Sequence, residues 1–127
     1  MNRNQVYRIL LGLFLVLAAS SFKLDSYAPR FTPVGNWEYS VPGVEAGYEK
    51  GSMLISREDK DYTVTMVLNE FSKTEAEKVI YKRKQISFTI WVENEEISVA
   101  GTFDKDHFSG TITYSDGVFS ITATRIP

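Results

Sequence analysis

The amino-acid sequence predicts an all-β fold, an antiparallel meander of about eight strands that closes into a small barrel. Apolar and polar residues alternate with a period of two in most segments after residue 35, which is a strand pattern and not a helical one. Short clusters of Asp, Glu, Asn, Lys and Gly separate these segments, as in successive hairpins. An open sheet of this size would leave an apolar face and two edges exposed, so closure is expected.

The clearest predicted strand is the segment ISFTIWV, in which Ile86, Phe88 and Ile90 share one face while Trp91 lies on the other. The predicted strands lie near residues 36–41, 48–57, 61–69, 77–83, 85–93, 96–104, 107–114 and 118–125. Bulky residues predicted to point inward are Trp37, Tyr39, Leu54, Met66, Leu68, Phe88, Ile90, Phe103, Phe108, Ile112, Tyr114 and Phe119. Gly51, Gly101 and Gly110 lie inside strand patterns, where glycine marks bends or bulges.

One segment interrupts the alternation. In EFSKTEAEK, Ser72 precedes Glu75 by three residues, which is the spacing of a helix-capping box. Phe71 and Ala76 stand where the two residues of a hydrophobic staple would lie. The segment therefore predicts a short helical turn near residues 72–77, either as a lid over a barrel mouth or as a plain connection.

The first 21 residues have the order of a secretory signal peptide. Arg3 and Arg8 precede an apolar run at 9–19, and small residues follow it. This run is shorter than the roughly 20 residues that a helix needs to span a bilayer. We therefore expect an exported protein, periplasmic or extracellular, with no stable membrane span after cleavage. The predicted organisation is a signal peptide at 1–21, an extended lead-in at 22–34 and a β-barrel domain at 35–127.

Composition excludes several kinds of function. The chain contains no cysteine, which excludes disulfides, thiolate metal sites and a cysteine nucleophile. Removal of the leader takes away two arginines and leaves 12 basic and 16 acidic residues. This mildly acidic balance argues against a nucleic-acid partner, because nucleic-acid binding needs a concentrated basic surface.

The last predicted strand carries a charged residue in line with the core. In VFSITATR the apolar face continues through Ile121 and Ala123, and the next residue of that parity is Arg125. Such a charge is costly unless another group holds it. If the first and last strands pair, Arg125 can lie across the inward-facing indole of Trp37, and a cation–π contact there contributes about 0.5 to 2 kcal/mol.

Gly35-Asn36-Trp37, together with the final Thr122-Ala123-Thr124-Arg125, resembles the barrel-closing signature of the calycins, which include lipocalins, fatty-acid-binding proteins and avidins. The segments GNWEYSVPG, ISF, FSGTI and the terminal TATR are together also similar to small barrel domains of exported bacterial proteins. The resemblance implies a lipocalin-like barrel in which Gly35, Trp37 and Arg125 are the closure residues. The second lipocalin motif is absent. A barrel of eight strands is either filled by side chains or holds one small ligand.

Catalytic and metal-binding patterns are scarce in the sequence. The single histidine, His107, stands beside a turn on the polar face of its strand. No G-x-S-x-G or S-x-x-K motif occurs. The paired carboxylates at 59–61 and 104–106 each flank a lysine, which is typical of hairpin turns and not of a calcium loop. We expect no enzymatic activity, no metal and no cofactor.

Two classes of function remain open. The first is a binding module for a small apolar or amphipathic ligand, with Tyr39, Tyr114 and Arg125 as polar contacts. The second is a structural or interaction protein with a filled barrel, which presents a surface to an envelope or secreted protein. The residues of that surface would be Trp91, Lys82, Arg83 and Lys84. Two alternatives apply to them: Trp91 is either covered by the lead-in around Phe31 or exposed as an anchor, and the basic residues either contact a partner or discourage edge-to-edge aggregation.

Overall fold

A computed structural model describes residues 30–127, which form nine β-strands and no helix. The strands are β1 (Gly35–Ser40), β2 (Lys50–Glu58), β3 (Asp61–Asn69), β4 (Ser72–Glu75), β5 (Glu77–Lys82), β6 (Gln85–Val92), β7 (Glu95–Asp104), β8 (His107–Tyr114) and β9 (Gly117–Arg125). The predicted all-β antiparallel barrel of about eight strands is confirmed, and each predicted strand starts and ends within two residues of an observed one. The predicted signal peptide, and the lead-in up to residue 29, lie outside the described residues. A search of the described part of the chain for an apolar helix of membrane-spanning length found none.

The nine strands form a single sheet in the order β4-β3-β2-β1-β9-β8-β7-β6-β5. All neighbours are antiparallel, and the first strand pairs with the last, with Trp37 opposite Arg125 and Tyr39 opposite Ala123. The two edge strands, β4 and β5, follow each other in the chain with only Ala76 between them. The sheet therefore curls until its edges meet, which gives a nearly closed barrel.

Strands β4 and β5 act as one bent strand shared by the two sides of the barrel. β4 pairs with β3, and the Ala76 N–H extends this pairing by donating to the Val64 carbonyl oxygen at 2.8 Å. β5 pairs with β6, with a shift in register between Glu77 and Ile80. Lys78, inside this shift, has a φ of 53°. A bulge of this kind bends a strand, and here it carries the chain from one sheet edge to the other.

The predicted helical turn near residues 72–77 is wrong, because the segment alternates with the period of a strand. The half-buried side chains are Ser72, Thr74 and Ala76, and the exposed ones are Lys73, Glu75 and Glu77. Phe71 is exposed and does not form the predicted hydrophobic staple. Its backbone N–H donates to Asn69 Oδ1 at 2.9 Å, within the β3–β4 turn. A one-turn helix has few internal hydrogen bonds, whereas pairing with β3 provides partners for the backbone of both strands.

The core of the barrel consists of side chains that alternate along the strands and point inward. The buried apolar residues are Trp37, Tyr39, Val41, Met53, Ile55, Val64, Met66, Leu68, Ile86, Phe88, Ile90, Val99, Phe103, Phe108, Ile112, Ile121 and Ala123. The inward prediction fails at Leu54, which is 45% exposed. Its neighbours Met53 and Ile55 are buried instead, because Met53 lies opposite Trp37 in the β1–β2 pairing. Three successive apolar residues leave the parity of β2 ambiguous in the sequence.

Two facing glycines allow a sharp bend in the barrel wall. Gly101 of β7 lies opposite Gly110 of β8. A Cβ atom on Gly110 would lie 2.6 Å from the Gly101 Cα and would collide with the Ala100 carbonyl oxygen. The Phe108 ring covers Gly101 from inside the barrel, so the space without a side chain is filled. Glycines covered by an aromatic ring are a device by which small barrels turn corners.

Arg125 closes one end of the barrel by lying over Trp37. Its guanidinium carbon is 4.6 Å from the centroid of the indole, which is wholly buried. The same guanidinium donates to the carbonyl oxygens of Thr32 and Val34, each at 2.9 Å, and to Asp106 Oδ1 at 2.9 Å. The charge that continues the core face of β9 is therefore held by an aromatic ring, two carbonyl groups and a carboxylate.

Gly35 and the lead-in complete this closed end. A Cβ atom on Gly35 would lie 3.3 Å from the Arg125 Cδ, and its φ of 150° is one that other residues rarely adopt. The Phe31 ring packs 5.6 Å from the Phe103 centroid. The buried Pro33 accepts a hydrogen bond at 3.0 Å from the Trp37 Nε1–H. Gly35, Trp37 and Arg125 thus meet at one end, and the lead-in extends the core beneath them.

We predict that Arg125→Ala lowers the free energy of unfolding by about 1 to 3 kcal/mol, because a cation–π contact and several hydrogen bonds are lost together. Urea unfolding followed by tryptophan fluorescence measures the change. The control is Arg57→Ala, which removes an exposed arginine whose guanidinium lies 5.2 Å from the Tyr62 ring centroid. It should cost less than about 1 kcal/mol. Equal losses in the two variants would contradict a closure role for Arg125.

Candidate functional site

The end of the barrel opposite Arg125 contains a pocket of about 100 Å³. It lies inside the strands at the end where the β1–β2 loop and the β3–β4, β6–β7 and β8–β9 turns are found. Its apolar lining residues are Val41, Val44, Met66, Leu68, Ile90, Val92, Ile97, Val99, Ile112 and Ile121. Its polar lining residues are Tyr39, Tyr48, Tyr114, Glu45, Glu93 and Glu95. We call this feature the mouth pocket.

The mouth pocket occupies only part of the interior, because aromatic rings fill the closed end. Phe103 is the centre of that packing: its ring centroid lies 5.0 Å from that of Trp37 and 4.9 Å from that of Phe108. Tyr81 approaches the same ring at 6.2 Å. Large aromatic rings pack densely at the closed end, whereas smaller aliphatic side chains line the interior near the mouth. This difference in side-chain size accounts for the position of the pocket at the mouth.

A single long loop covers part of the mouth. Residues 41–49 connect β1 to β2, whereas the other hairpin connections in the described chain have two residues. Val44 and Tyr48 in this loop pack against the core. The Tyr48 hydroxyl donates to Glu93 Oε1 at 3.0 Å. Because Glu93 lies in the β6–β7 turn, on a distant part of the sheet, this hydrogen bond ties the loop across the opening.

The rim of the mouth pocket is acidic. Glu45 comes from the long loop, Glu93 from the β6–β7 turn and Glu95 from the start of β7. The Glu95 carboxylate accepts hydrogen bonds from the backbone N–H and the hydroxyl of Ser115, which fixes it beside the β8–β9 turn. Three carboxylates from three parts of the chain therefore surround an apolar cavity.

The tyrosines of the rim remain neutral phenols well into the alkaline range. Donation to the Glu93 carboxylate is the largest cause that raises the pKa of Tyr48, and burial adds to it. Burial is the largest cause that raises the pKa of Tyr114, with further contributions from Asp116, Glu95 and Glu45. The negative charge of the rim thus acts on both phenols. Each phenol can donate a hydrogen bond to a ligand or present its ring.

Tyr39 lies deeper, where its ring covers Gly51 on the neighbouring strand. The residue is only 4% exposed, and burial raises its pKa to about 12. A Cβ atom on Gly51 would lie 2.6 Å from the Tyr39 hydroxyl oxygen, so glycine is needed there to admit the ring. Within residues 30–127 every fully buried polar side-chain atom has a hydrogen-bond partner. The Tyr39 hydroxyl forms no hydrogen bond with another described residue.

The structure separates the three residues predicted as polar ligand contacts. Tyr39 and Tyr114 both line the mouth pocket. Arg125 does not, because β9 runs from the mouth to the closed end and places its last residue at the opposite end of the barrel. Arg125 is held there by the lead-in and Asp106, so a molecule in the mouth pocket does not reach it.

The structure also separates the residues predicted as a partner surface. Trp91 is 46% exposed near the mouth end of β6, and its Nε1–H donates to Glu77 Oε2 at 3.3 Å. Phe31 packs at the closed end and does not cover it. Lys82 ends β5, and Arg83 and Lys84 form the β5–β6 turn, at the opposite end of β6 and at least about 20 Å along the strand from Trp91. They do not form one patch with Trp91, whose ladder partner is Glu96.

The remaining charged residues of interest in the sequence lie in turns or at the ends of strands. His107 is exposed at the start of β8. Asp106 lies in the preceding turn and binds Arg125, a role that the turn pattern alone did not indicate. The Asp59 turn joins β2 to β3. Among residues 30–127, no group of three or more His, Asp or Glu side chains is arranged to hold a metal ion.

Sequence reasoning missed Glu45, Tyr48, Glu93 and Glu95 as pocket residues. Glu93 and Glu95 belong to a predicted turn, and the sequence does not indicate in which direction the side chains of a turn point. Glu45 and Tyr48 lie in a segment without apolar–polar alternation. One signal was present: the stretch around residues 41–49 is long for a hairpin connection. Long loops on a rigid barrel are where binding residues concentrate.

Comparisons with known proteins identify the fold and nothing more specific. No protein-family model matches the chain, and no curated protein matches it. A solved structure of a redesigned β-barrel is similar to it, with a TM-score of 0.55 and 17% sequence identity. The similarity covers 74% of this chain and 91% of that chain. At this identity the likeness supports a small β-barrel fold alone.

We predict that Tyr39 makes the protein sensitive to alkali. Its folded-state pKa of about 12 exceeds the ordinary 10.0, so the fold favours the neutral phenol. This contribution to stability is complete below pH 10 and is lost as the pH rises towards 12, at up to about 1.4 kcal/mol for each pH unit. Urea unfolding at about pH 8 and about pH 11.5 measures how far the free energy of unfolding falls between these two pH values. In Tyr39→Phe this fall should be about 2 kcal/mol smaller than in the unmodified protein. An equal loss in Tyr39→Phe and in the control Tyr62→Phe would contradict the assignment to Tyr39.

Proposed function

We propose that this barrel is an exported, non-catalytic binding module that holds a small apolar or amphipathic molecule in the mouth pocket. The observation that carries the proposal is an apolar cavity at one end of an otherwise filled barrel, bordered by a few polar groups. Ligand sites of proteins commonly have this composition, with apolar walls for affinity and a few polar groups for orientation. Export is supported by the order of residues 1–21 in the sequence.

The size of the pocket limits what it can hold. Its volume of about 100 Å³ is less than the roughly 300 to 1,000 Å³ of drug-sized ligand sites. An apolar cavity of about 150 Å³ accepts benzene, so by proportion this pocket accommodates about four carbon atoms. The ligand is therefore a small molecule, or the apolar end of a longer one whose polar end remains at the rim.

Kinship with the calycins is part of the proposal. It is supported by Gly35, Trp37 and Arg125, which meet where the first and last strands pair. It is also supported by the division of the barrel into a closed end and an open end, which suits a carrier that admits ligand from one side.

The interaction function would have Trp91 as its anchor. The basic residues Lys82, Arg83 and Lys84 lie beyond the opposite end of β6, too far away to share a contact surface with Trp91. The mouth pocket, by contrast, brings apolar walls and polar groups from several strands to one place. We therefore favour the binding module.

We predict that the protein isolated from its native source carries extra mass in native mass spectrometry and loses it on denaturation. Ile97→Phe, which adds bulk inside the mouth pocket, should abolish the extra mass while the fold is retained. Ile97 is half-buried and lines the pocket. The matched control is Val118→Phe, which places the same ring on the exposed outer face of β9 and should retain the bound mass. A clean mass for the unmodified protein in repeated preparations would count against the binding function.

A further inference from the structure

We propose that the ligand of the mouth pocket carries a cationic end group, an ammonium attached to a short apolar chain. The inference rests on the proposed binding function and specifies the chemistry of its ligand. The apolar chain lies among the aliphatic side chains of the pocket, and the ammonium lies at the rim between Glu45, Glu93 and Glu95.

Among the described residues, no basic side chain forms an ion pair with the rim carboxylates. Within residues 30–127, the ion pair observed joins Arg125 to Asp106 at the opposite end of the barrel. The partners of Glu93 and Glu95 are the neutral hydroxyl and amide groups of Tyr48 and Ser115. A cation placed at the rim would therefore find carboxylate oxygens that are already oriented by hydrogen bonds and lack a counter-charge.

The distribution of charge along the barrel points the same way. The mouth-end connections, residues 41–49, 70–71, 93–94 and 115–116, contain five acidic residues and no basic one. The closed-end turns, residues 59–60, 83–84 and 105–106, contain four basic residues and two acidic ones. The basic residues nearest the mouth in their strands, Lys50 and Lys73, are exposed and do not line the pocket. A concave site with one sign of charge attracts ligands of the opposite sign.

Aromatic and polar groups in the pocket suit an ammonium. Tyr48 and Tyr114 present rings at the rim, and a cation within about 6 Å of a tyrosine ring is attracted to its face. Tyr114 is held in place by stacking on Phe119 at 5.4 Å. Tyr39 is 4% exposed and lines the same pocket, and its hydroxyl has no partner among the described residues. Tyr39 therefore adds to the pocket lining a polar group that is independent of the carboxylates.

The same rim disfavours an anionic end group. In high dielectric, a carboxylate about 4 Å away strengthens the binding of an ammonium about fivefold and weakens the binding of a carboxylate by a similar factor. One such carboxylate therefore separates the affinities of the two end groups by about 30-fold, and three carboxylates act together at the rim. A neutral end group lies between these limits.

The test is a titration with three molecules that share a hexyl chain, namely hexylammonium, hexanol and hexanoate. Chemical-shift changes of the Ile97 and Ile112 methyl groups, which line the pocket, report binding. Hexylammonium should bind at least about fivefold more tightly than hexanol, and hexanoate should bind most weakly. Raising the salt from about 0.01 M to about 1 M should weaken hexylammonium binding and leave hexanol binding unchanged.

Glu93→Gln and Glu95→Gln identify the source of the preference. Each substitution keeps an oxygen acceptor for the hydroxyl or amide it binds and removes one charge. Each should reduce hexylammonium affinity by about fivefold and change hexanol affinity by less than about twofold. Glu96→Gln is the matched control: it makes the same change in net charge, but on the outer face beside Trp91, and it should leave both affinities within about twofold.

The outcomes separate the two proposals. Binding of hexanol or hexanoate as tightly as hexylammonium would overturn the cationic ligand and leave the binding function standing. Hexylammonium binding that is indifferent to Glu93→Gln and Glu95→Gln would have the same meaning. Failure of all three molecules to bind, together with a clean native mass, would overturn the binding function itself.

Discussion

The contact of Arg125 with Trp37 is the constraint on which the rest of the barrel depends. It holds β9 against β1 in one register, and a slip of one residue would turn every side chain of a strand to the opposite face. The correct register places Tyr39 opposite Ala123 and Met53 opposite Trp37, so both neighbours of β1 direct their apolar residues inward. Closure also gives the backbone groups of the first and last strands partners, which an open sheet would leave exposed.

The closed end and the mouth differ because their side chains differ in size. Rings from the lead-in, β1, β5 and β8 surround Phe103, with centroids 4.9 to 6.2 Å from its own. Towards the mouth the interior is lined by aliphatic residues and by tyrosines whose polar ends reach the rim. The long loop at 41–49 is tied across this opening by the hydrogen bond between Tyr48 and Glu93.

The strands were predictable because most of them have one buried and one exposed face. Alternation places Phe88 and Ile90 inside and Trp91 outside, and the structure agrees. It failed where the pattern was weak. Leu54 lies in an apolar triplet, and Ser72 lies in a segment of small and charged residues that also fits a helix cap. In both places the neighbouring strand determines the structure. Pairing with β1 fixes which residues of β2 point inward, and pairing with β3 makes residues 72–75 a strand.

The sequence by itself determined the antiparallel meander, most of the inward faces and the need for a partner to Arg125, because these follow from side-chain period and from the cost of an unpartnered charge near the core. Tertiary structure alone decided where the pocket lies and which charges surround it. Glu45, Glu93 and Glu95 are far apart in the chain, and only the closed sheet brings their strand ends together. The same closure places Arg125 at the opposite end of the barrel from Tyr114. The direction and register of the strands determine these positions, and both depend on long-range pairing.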